Sequence, residues 1–172
     1  MGHHVRLFIG PRAALRPFVA LVPAARVFAL TPSASLFVLP WDDEIVDAFH
    51  LAYGTGEWLD IDGTRGLHLT TADMTFASRA SSRTALAWIE TEYHGGTGEQ
   101  VAAAWIDGGL QMKPNLQREG ERRPQSLWPI NMALRMLGVV VKAPARDEFE
   151  AFDLDGYRSH DDILAKATPV TL

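Results

Sequence analysis

Residues 84–113 constrain the fold of this chain most, because they predict three successive β-strands joined by glycine-rich turns. In the first strand, Leu86 and Trp88 share one face, whereas Ala87 and Ile89 share the other. A second β-prone run follows a glycine-rich loop, and a third follows an Asp-Gly-Gly turn. The segment therefore predicts an antiparallel meander in the middle of the chain.

The loop between the first two strands reads Tyr93-His94-Gly95-Gly96-Thr97-Gly98-Glu99-Gln100. Glycine-rich loops bind phosphates where they lead from a strand into a helix. This loop lacks the Gly-Lys-Ser/Thr sequence of a phosphate-binding loop, and Glu99 would repel a phosphate. The preferred interpretation is a hairpin turn whose glycines allow positive φ angles, and the alternative is contact with a ligand or partner.

Two amphipathic segments predict the main helices. In each segment, apolar side chains recur at i, i+4 and i+7 and so share a face: Ile45, Phe49 and Ala52, and then Ile130, Leu134 and Leu137. Asp42 or Asp43 is placed to cap the first helix and Ser126 the second. We therefore expect a single α+β domain over residues 1–172, mainly an antiparallel sheet (the meander) with two main helices packed on it.

Local patterns predict the shorter elements. β-Prone runs occupy residues 5–9, 26–30 and 35–39, and an Asp-Gly turn at 62–63 predicts a hairpin between residues 57 and 71. Residues 73–78 are expected to continue in strand, and residues 161–167 are expected to form a short helix. Residues 12–22 contain Pro17 and are expected to form either a short helix or an irregular segment. The polar residues 114–124 are expected to be a mobile connection.

Composition bounds the class of protein. With 172 residues, 47% apolar side chains and no cysteine, the chain can bury a core but cannot form disulfides or a thiolate zinc site. The N-terminal apolar run is too short for a signal peptide, and no run is long enough to span a membrane. We therefore expect a cytoplasmic protein with no membrane partner.

The charge of the chain, −5 overall, is unevenly distributed. Residues 1–41 carry four arginines and no acid, whereas residues 147–172 carry seven acids against Arg158 and Lys166. An acidic C-terminal segment disfavours nucleic acid and suits a basic protein partner, but the preferred interpretation is a solvated, charged surface that keeps the protein soluble.

The candidate site consists of Glu90, Glu92, His94 and Glu99, beside the glycine loop. Paired carboxylates on one strand face can act as acid and base, and carboxylates with an imidazole can bind a metal. No second histidine is near in sequence, so we assign neither a metal nor a cofactor. An exposed strand face or an acidic partner-binding face accounts for the same alternation.

The other candidate motifs do not indicate a catalytic or metal site. Two Asp-x-Asp-Gly units, at 60–63 and 153–156, lack the following glutamate of a calcium loop and are interpreted as tight turns. There is no Gly-x-Ser-x-Gly element, so no nucleophile is assigned. The five tryptophans are expected mainly in the core or in cross-strand packing.

The second half of the chain, from residue 84 to about 158, resembles a family of small uncharacterised bacterial proteins. The resemblance rests on an acidic strand, the Tyr-x-Gly-Gly-x-Gly-Glu-Gln loop, an Ile-Asn-x-Ala-Leu-Arg helix and Asp-Glu-Phe at 147–149. His94 departs from the phenylalanine expected at its position. Small, acidic, cysteine-free proteins of this kind are associated with immunity against secreted toxins, through size and charge rather than through the motif, and the resemblance implies no catalytic residues.

Two functional hypotheses follow. The preferred one is a non-enzymatic binding protein of immunity or antitoxin type, whose acidic surface (Glu90, Glu92, Glu99 and the 147–162 region) masks a basic, toxin-like partner. The alternative is a small hydrolase-like or metal-dependent enzyme that uses Glu90, Glu92, His94 and Glu99. A third arrangement is a homodimer in which the edge of the meander pairs with a second copy.

Overall fold

The computed structural model describes residues 2–32, 34–61, 68–94 and 97–172. Its seven strands are β1 (His3–Gly10), β2 (Val27–Ala29), β3 (Phe37–Pro40), β4 (Ala85–His94), β5 (Thr97–Ile106), β6 (Gly109–Gln117) and β7 (Thr168–Val170). They form one antiparallel sheet in the order β6-β5-β4-β1-β3-β2-β7. The predicted meander is therefore confirmed as one side of a larger sheet.

Helices cover this sheet. They are α1 (Arg12–Leu21), α2 (Asp43–Tyr53), α3 (Thr71–Ala80), α4 (Pro129–Met136), α5 (Glu148–Ala151) and α6 (His160–Lys166), with short 3-10 helices at Gln125–Leu127 and Leu154–Gly156. The predicted α+β class is confirmed, with more helices than the two main ones expected, α2 and α4. Among the described residues, no helix combines the length and apolar character needed to cross a membrane.

The sheet is covered on both faces because its central strands are apolar on both faces. Phe8 on β1 and Trp88 on β4 face a core shared with α1, α2 and α3. Leu7 and Ile89, which are also register partners, face a second core shared with α4 and α6. Alternation along each strand thus divides the molecule into three layers, helix, sheet and helix.

The alternation predicted for β4 is confirmed, but the predicted strand at 73–78 is wrong. Those residues belong to α3, which begins with a capping box. The Thr70 hydroxyl accepts the Asp73 amide at 3.2 Å, and the Asp73 carboxylate accepts the Thr70 amide at 2.7 Å. This reciprocal pair satisfies two amides at the start of the helix, and it outweighs the weak strand preference of the segment.

Helix α1 forms despite Pro17 near its middle, so the helical alternative for residues 12–22 is correct. A proline inside a helix removes one backbone hydrogen bond. The helix is stabilised by burial of Ala14, Leu15 and Phe18 in the first core. Phe18 alone contacts several aromatic rings there, including Phe8 at 4.6 Å between centroids.

The flanks of the hairpin predicted around residue 62 pair as expected. The Leu59 amide donates to the Leu69 carbonyl at 3.0 Å, and the Thr71 amide donates to the Glu57 carbonyl at 2.8 Å. The Asp-Gly turn itself, at 62–63, lies outside the described residues.

The β4–β5 hairpin pairs up to the last described residues on either side of its turn, His94 and Thr97. Gly95 and Gly96 of that turn lie outside the described residues. At Gly98 a Cβ atom would overlap the carbonyl oxygen of Glu92, so the close approach of the strands requires glycine there.

Strand β6 extends further than predicted and forms an edge of the sheet. It continues to Gln117, and the connection that follows is anchored because Arg123 donates to the Leu116 carbonyl and the Asn115 side chain, both at 3.0 Å. Lys113 and Pro114 lie within this edge strand. Both residues discourage pairing with another chain, because one adds charge and the other lacks an amide donor.

The N-terminal half of β1 is covered by residues 158–160 rather than by β3. The His4 amide donates to the Arg158 carbonyl at 2.7 Å, and His4 forms a parallel bridge with Ser159. The ring nitrogen Nε2 of His160 lies 2.9 Å from both the amide nitrogen and the carbonyl oxygen of Arg6. The start of α6 is thus fixed to the central strand.

Two histidines at this junction should make stability depend on pH. Burial lowers the pKa of His160 and of His3 below the ordinary value of 6.5. The unfolded chain therefore takes up protons first as the pH falls below about 6.5, which favours unfolding. We expect the free energy of unfolding, measured with urea, to be fully present at pH 8 and to fall steadily towards pH 5.5.

His160→Gln should weaken this dependence, whereas His94→Gln, a change at an exposed histidine, should leave it intact. A free energy of unfolding that stays constant between pH 8 and pH 5.5 would contradict the assignment.

Candidate functional site

The four candidate residues project from the same face of the β4–β5 hairpin. Glu90, Glu92 and His94 alternate along β4 on the face that also carries Trp88, and Glu99 lies directly opposite Glu92 in the register. The structure brings Glu92, His94 and Glu99 together at the exposed end of the hairpin. It separates Glu90, which is buried beneath the segment that leads into α3.

The carboxylate of Glu90 binds His68, a contact that the sequence did not predict. The His68 amide donates to Oε2 of Glu90 at 3.2 Å, and Nδ1 of the His68 ring lies 2.6 Å from Oε1. The imidazole is 43% exposed, whereas the carboxylate is buried. This geometry fixes the ring orientation and leaves Nε2 as its outer nitrogen.

A second buried charge lies next to Glu90. Arg6 on β1 is its register partner, yet the guanidinium does not turn towards that carboxylate; its Nη2 donates to Oδ1 of Asp43 at 2.6 Å. The hydrogen bond from Arg6 lowers the pKa of Asp43 below its usual range. The buried side chain of Arg6 thus connects the sheet to the start of α2, while Asp43 itself is exposed.

The exposed end of the hairpin carries like charges in direct opposition. Glu92, with 62% of its side chain exposed, faces Glu99 across the strands, and Oε1 of Glu92 lies 3.7 Å from Nε2 of His94. Within the described parts of the chain, neither carboxylate forms an ion pair with lysine or arginine. Like charges directly opposite each other destabilise a strand pair, so this end of the hairpin favours a cation from outside.

The acidic C-terminal region is largely neutralised within the molecule. Asp147 and Glu148 are buried; Asp147 caps α5 and Glu148 pairs with Arg135 at 2.7 Å. Two further acids form i, i+4 ion pairs, Glu150 with Arg146 and Asp162 with Lys166. Of the remaining acids of this region, Asp155 and Asp161 are exposed and Asp153 is half-buried.

A more available acidic surface begins at α2. Asp42 caps this helix by accepting the Ile45 amide at 3.0 Å, and Glu44, Asp47, Glu57 and Asp60 are exposed along it and after it. The signal is present in the sequence, because residues 27–64 contain no lysine or arginine.

The arrangement of the histidine and carboxylate side chains decides which of them could share a metal ion. Among the described residues, no group of three histidine or carboxylate side chains is arranged to hold a metal ion. Asp153, which opens the second Asp-x-Asp-Gly unit, has φ of 64° and leads into a 3-10 turn, consistent with a tight turn. Asp62 and Gly63 of the first unit lie outside the described residues.

Comparison with known proteins adds no family. The chain matches no protein-family model, and no curated protein or solved structure is significantly similar to it. The functional argument therefore depends on the geometry of the chain itself.

The difference between Glu90 and Glu92 can be measured. Glu90→Gln places an amide NH2 against the donors of His68, so we expect it to lower the free energy of unfolding by about 1–3 kcal/mol. Glu92→Gln is the matched control on the same strand face. Because it removes a charge at an exposed position, its effect should stay within about 0.5 kcal/mol. Equal losses in urea denaturation would show that Glu90 is not held as described.

Proposed function

We propose that the chain is a non-enzymatic binding protein of immunity or antitoxin type, which acts in the bacterial cytoplasm and covers a basic protein partner. The observation that carries this proposal is the direct opposition of Glu92 and Glu99 at the exposed end of the hairpin, where, among the described residues, neither carboxylate forms an ion pair with lysine or arginine. A lysine or arginine from a partner would relieve their repulsion, and complementary charge would also speed the encounter. Membership of the Tyr-x-Gly-Gly-x-Gly-Glu-Gln family, with its association with immunity, is part of the same proposal.

The surface acids favour this partner chemistry over nucleic acid, because phosphate backbones are repelled by carboxylates. They also disfavour a homodimer through this face, since two copies would bring like charges together. Of the predicted partner-binding set, Glu90 is hydrogen-bonded to His68, and Glu148, Glu150 and Asp162 of the 147–162 region form internal ion pairs. We propose that the partner instead meets Glu92, His94, Glu99 and the exposed acids of α2.

The test uses the purified protein and the purified product of the gene adjacent to its own. We expect binding at low salt that weakens as salt rises, and a loss of about tenfold or more in affinity when Glu92→Lys and Glu99→Lys are combined. The matched control combines Asp155→Lys and Asp161→Lys, which reverse exposed acids outside this surface. Absence of binding at low salt, or equal losses in both double variants, would overturn the proposal.

A second function, a small hydrolase, is favoured by one specific contact. A buried carboxylate holds one nitrogen of His68, while the ring remains partly exposed, which is how general bases are oriented. In this candidate Glu90 acts as the orienting group and His68 as the base, in place of the full set Glu90, Glu92, His94 and Glu99.

Hydrolysis of p-nitrophenyl acetate tests the hydrolase candidate. If His68 is a general base, His68→Ala should reduce the rate to that of the solution reaction, and His94→Ala, at a more exposed imidazole, should not. A wild-type rate equal to that of His68→Ala removes this candidate.

A further inference from the structure

Leu51 on α2 and Trp58, which follows this helix, are large apolar side chains that lie exposed. Leu51 is 90% exposed, and Trp58 is 54% exposed with its ring edge-on to the His50 ring at 5.8 Å. By contrast, Trp41, Trp88 and Trp105 are fully buried. Exposed tryptophan is a common anchor of protein interfaces.

Trp58 is held in this position by a buried framework. Its backbone forms a bridge with Thr70, the residue that caps α3. The capping carboxylate of Asp73 has its other oxygen, Oδ1, 3.5 Å from Nε2 of His50, the ring against which Trp58 packs. The indole is therefore oriented before any partner arrives, which lowers the entropy lost on binding.

The surroundings of these two side chains are acidic. Glu44, Asp47 and Leu51 recur at intervals of three and four, so they form one outward stripe of α2. Glu57 directly precedes Trp58 and is exposed. Since residues 27–64 carry no lysine or arginine, no basic residue from this stretch interrupts the acidic border.

We infer that Trp58 and Leu51 form the apolar centre of the partner-binding surface, and that the partner is a basic protein whose apolar contact region is bordered by lysine or arginine. This inference rests on the proposed function and specifies its partner. Interfaces place aromatic anchors at the centre and charged residues at the rim, which is the arrangement on this surface. The acidic border of α2 supplies the complementary charge.

The same charges select against other occupants. An anionic membrane surface would be repelled by Glu44, Asp47 and Glu57. A second copy of the chain placed on this surface would oppose acid to acid. A basic protein is the one class that benefits from both the apolar centre and the acidic border.

Two synthetic peptides provide the probe: an amphipathic helix with lysines on one face and leucines on the other, and an oligolysine of equal charge. We expect the full-length protein to bind the amphipathic peptide about tenfold more tightly, by fluorescence polarisation. Trp58→Ala should weaken that binding by about 30-fold, as for an interface anchor, and Leu51→Ala should weaken it measurably. Leu51 is almost fully exposed, so Leu51→Ala should keep the wild-type unfolding midpoint, and urea denaturation should show that Trp58→Ala is folded under the binding conditions.

Leu127→Ala is the matched control, because Leu127 is 50% exposed but lies beside α4, away from this surface. Its affinity should equal that of the wild type. Equal affinity for the two peptides, or unchanged binding in Trp58→Ala, would overturn the inference. If Glu92→Lys with Glu99→Lys abolishes binding of the adjacent gene product while Trp58→Ala does not, the proposed function survives and this inference fails.

Discussion

The pairing of β1 with β4 at the centre of the sheet is the contact on which the rest of the structure depends. The two strands run together from His3 and Tyr93 to Ile9 and Ala87. Because both strands are apolar on both faces, they need helices on each side, and the first three helices and the last three take opposite sides. At Arg6 and Glu90 the apolar alternation of the two strands is replaced by charge, and this pair of positions supports two of the buried polar contacts, with Asp43 and with His68.

These polar contacts separate structural charge from available charge. Glu90 is occupied by His68, Asp43 by Arg6, and Glu148 by Arg135, so a count of acids overstates the surface that a partner can meet. The acids that remain for the candidate interface are concentrated on the side of the sheet that carries α2 and the end of the β4–β5 hairpin. Surface charge steers association only where it faces solvent. The candidate interface is therefore defined by which acids lack an internal partner, and not by the net charge of the chain.

Short-range patterns predicted the elements but not their long-range contacts. Alternation over residues 86–89 predicted β4 and its neighbours, and apolar spacing predicted α2 and α4. Thr70 and Asp73 have the spacing of a capping box, which predicts a helix start, but the hairpin before them favours continued strand. The strand predicted at this position is therefore wrong. The i, i+4 pairs of Glu150 and Asp162 were equally readable.

The contacts that define the candidate site could not be predicted from local sequence patterns. His68 meets Glu90 and Arg6 meets Asp43 because the sheet topology brings distant segments together, and no periodicity encodes such meetings. Which face of the sheet each helix covers has the same origin. The exposed position of Trp58 also depends on tertiary packing, since tryptophan is more often a core residue.

The cover that residues 158–160 provide over β1, together with the β2–β7 pairing, has a consequence for synthesis. These segments leave the ribosome after the strands that they protect. Until then, the N-terminal half of β1 and the outer side of β2 present unpaired backbone groups, which are templates for association with other nascent chains. The order of the chain thus makes segments that are synthesised later close the sheet, and a product that ends before them would expose its edges.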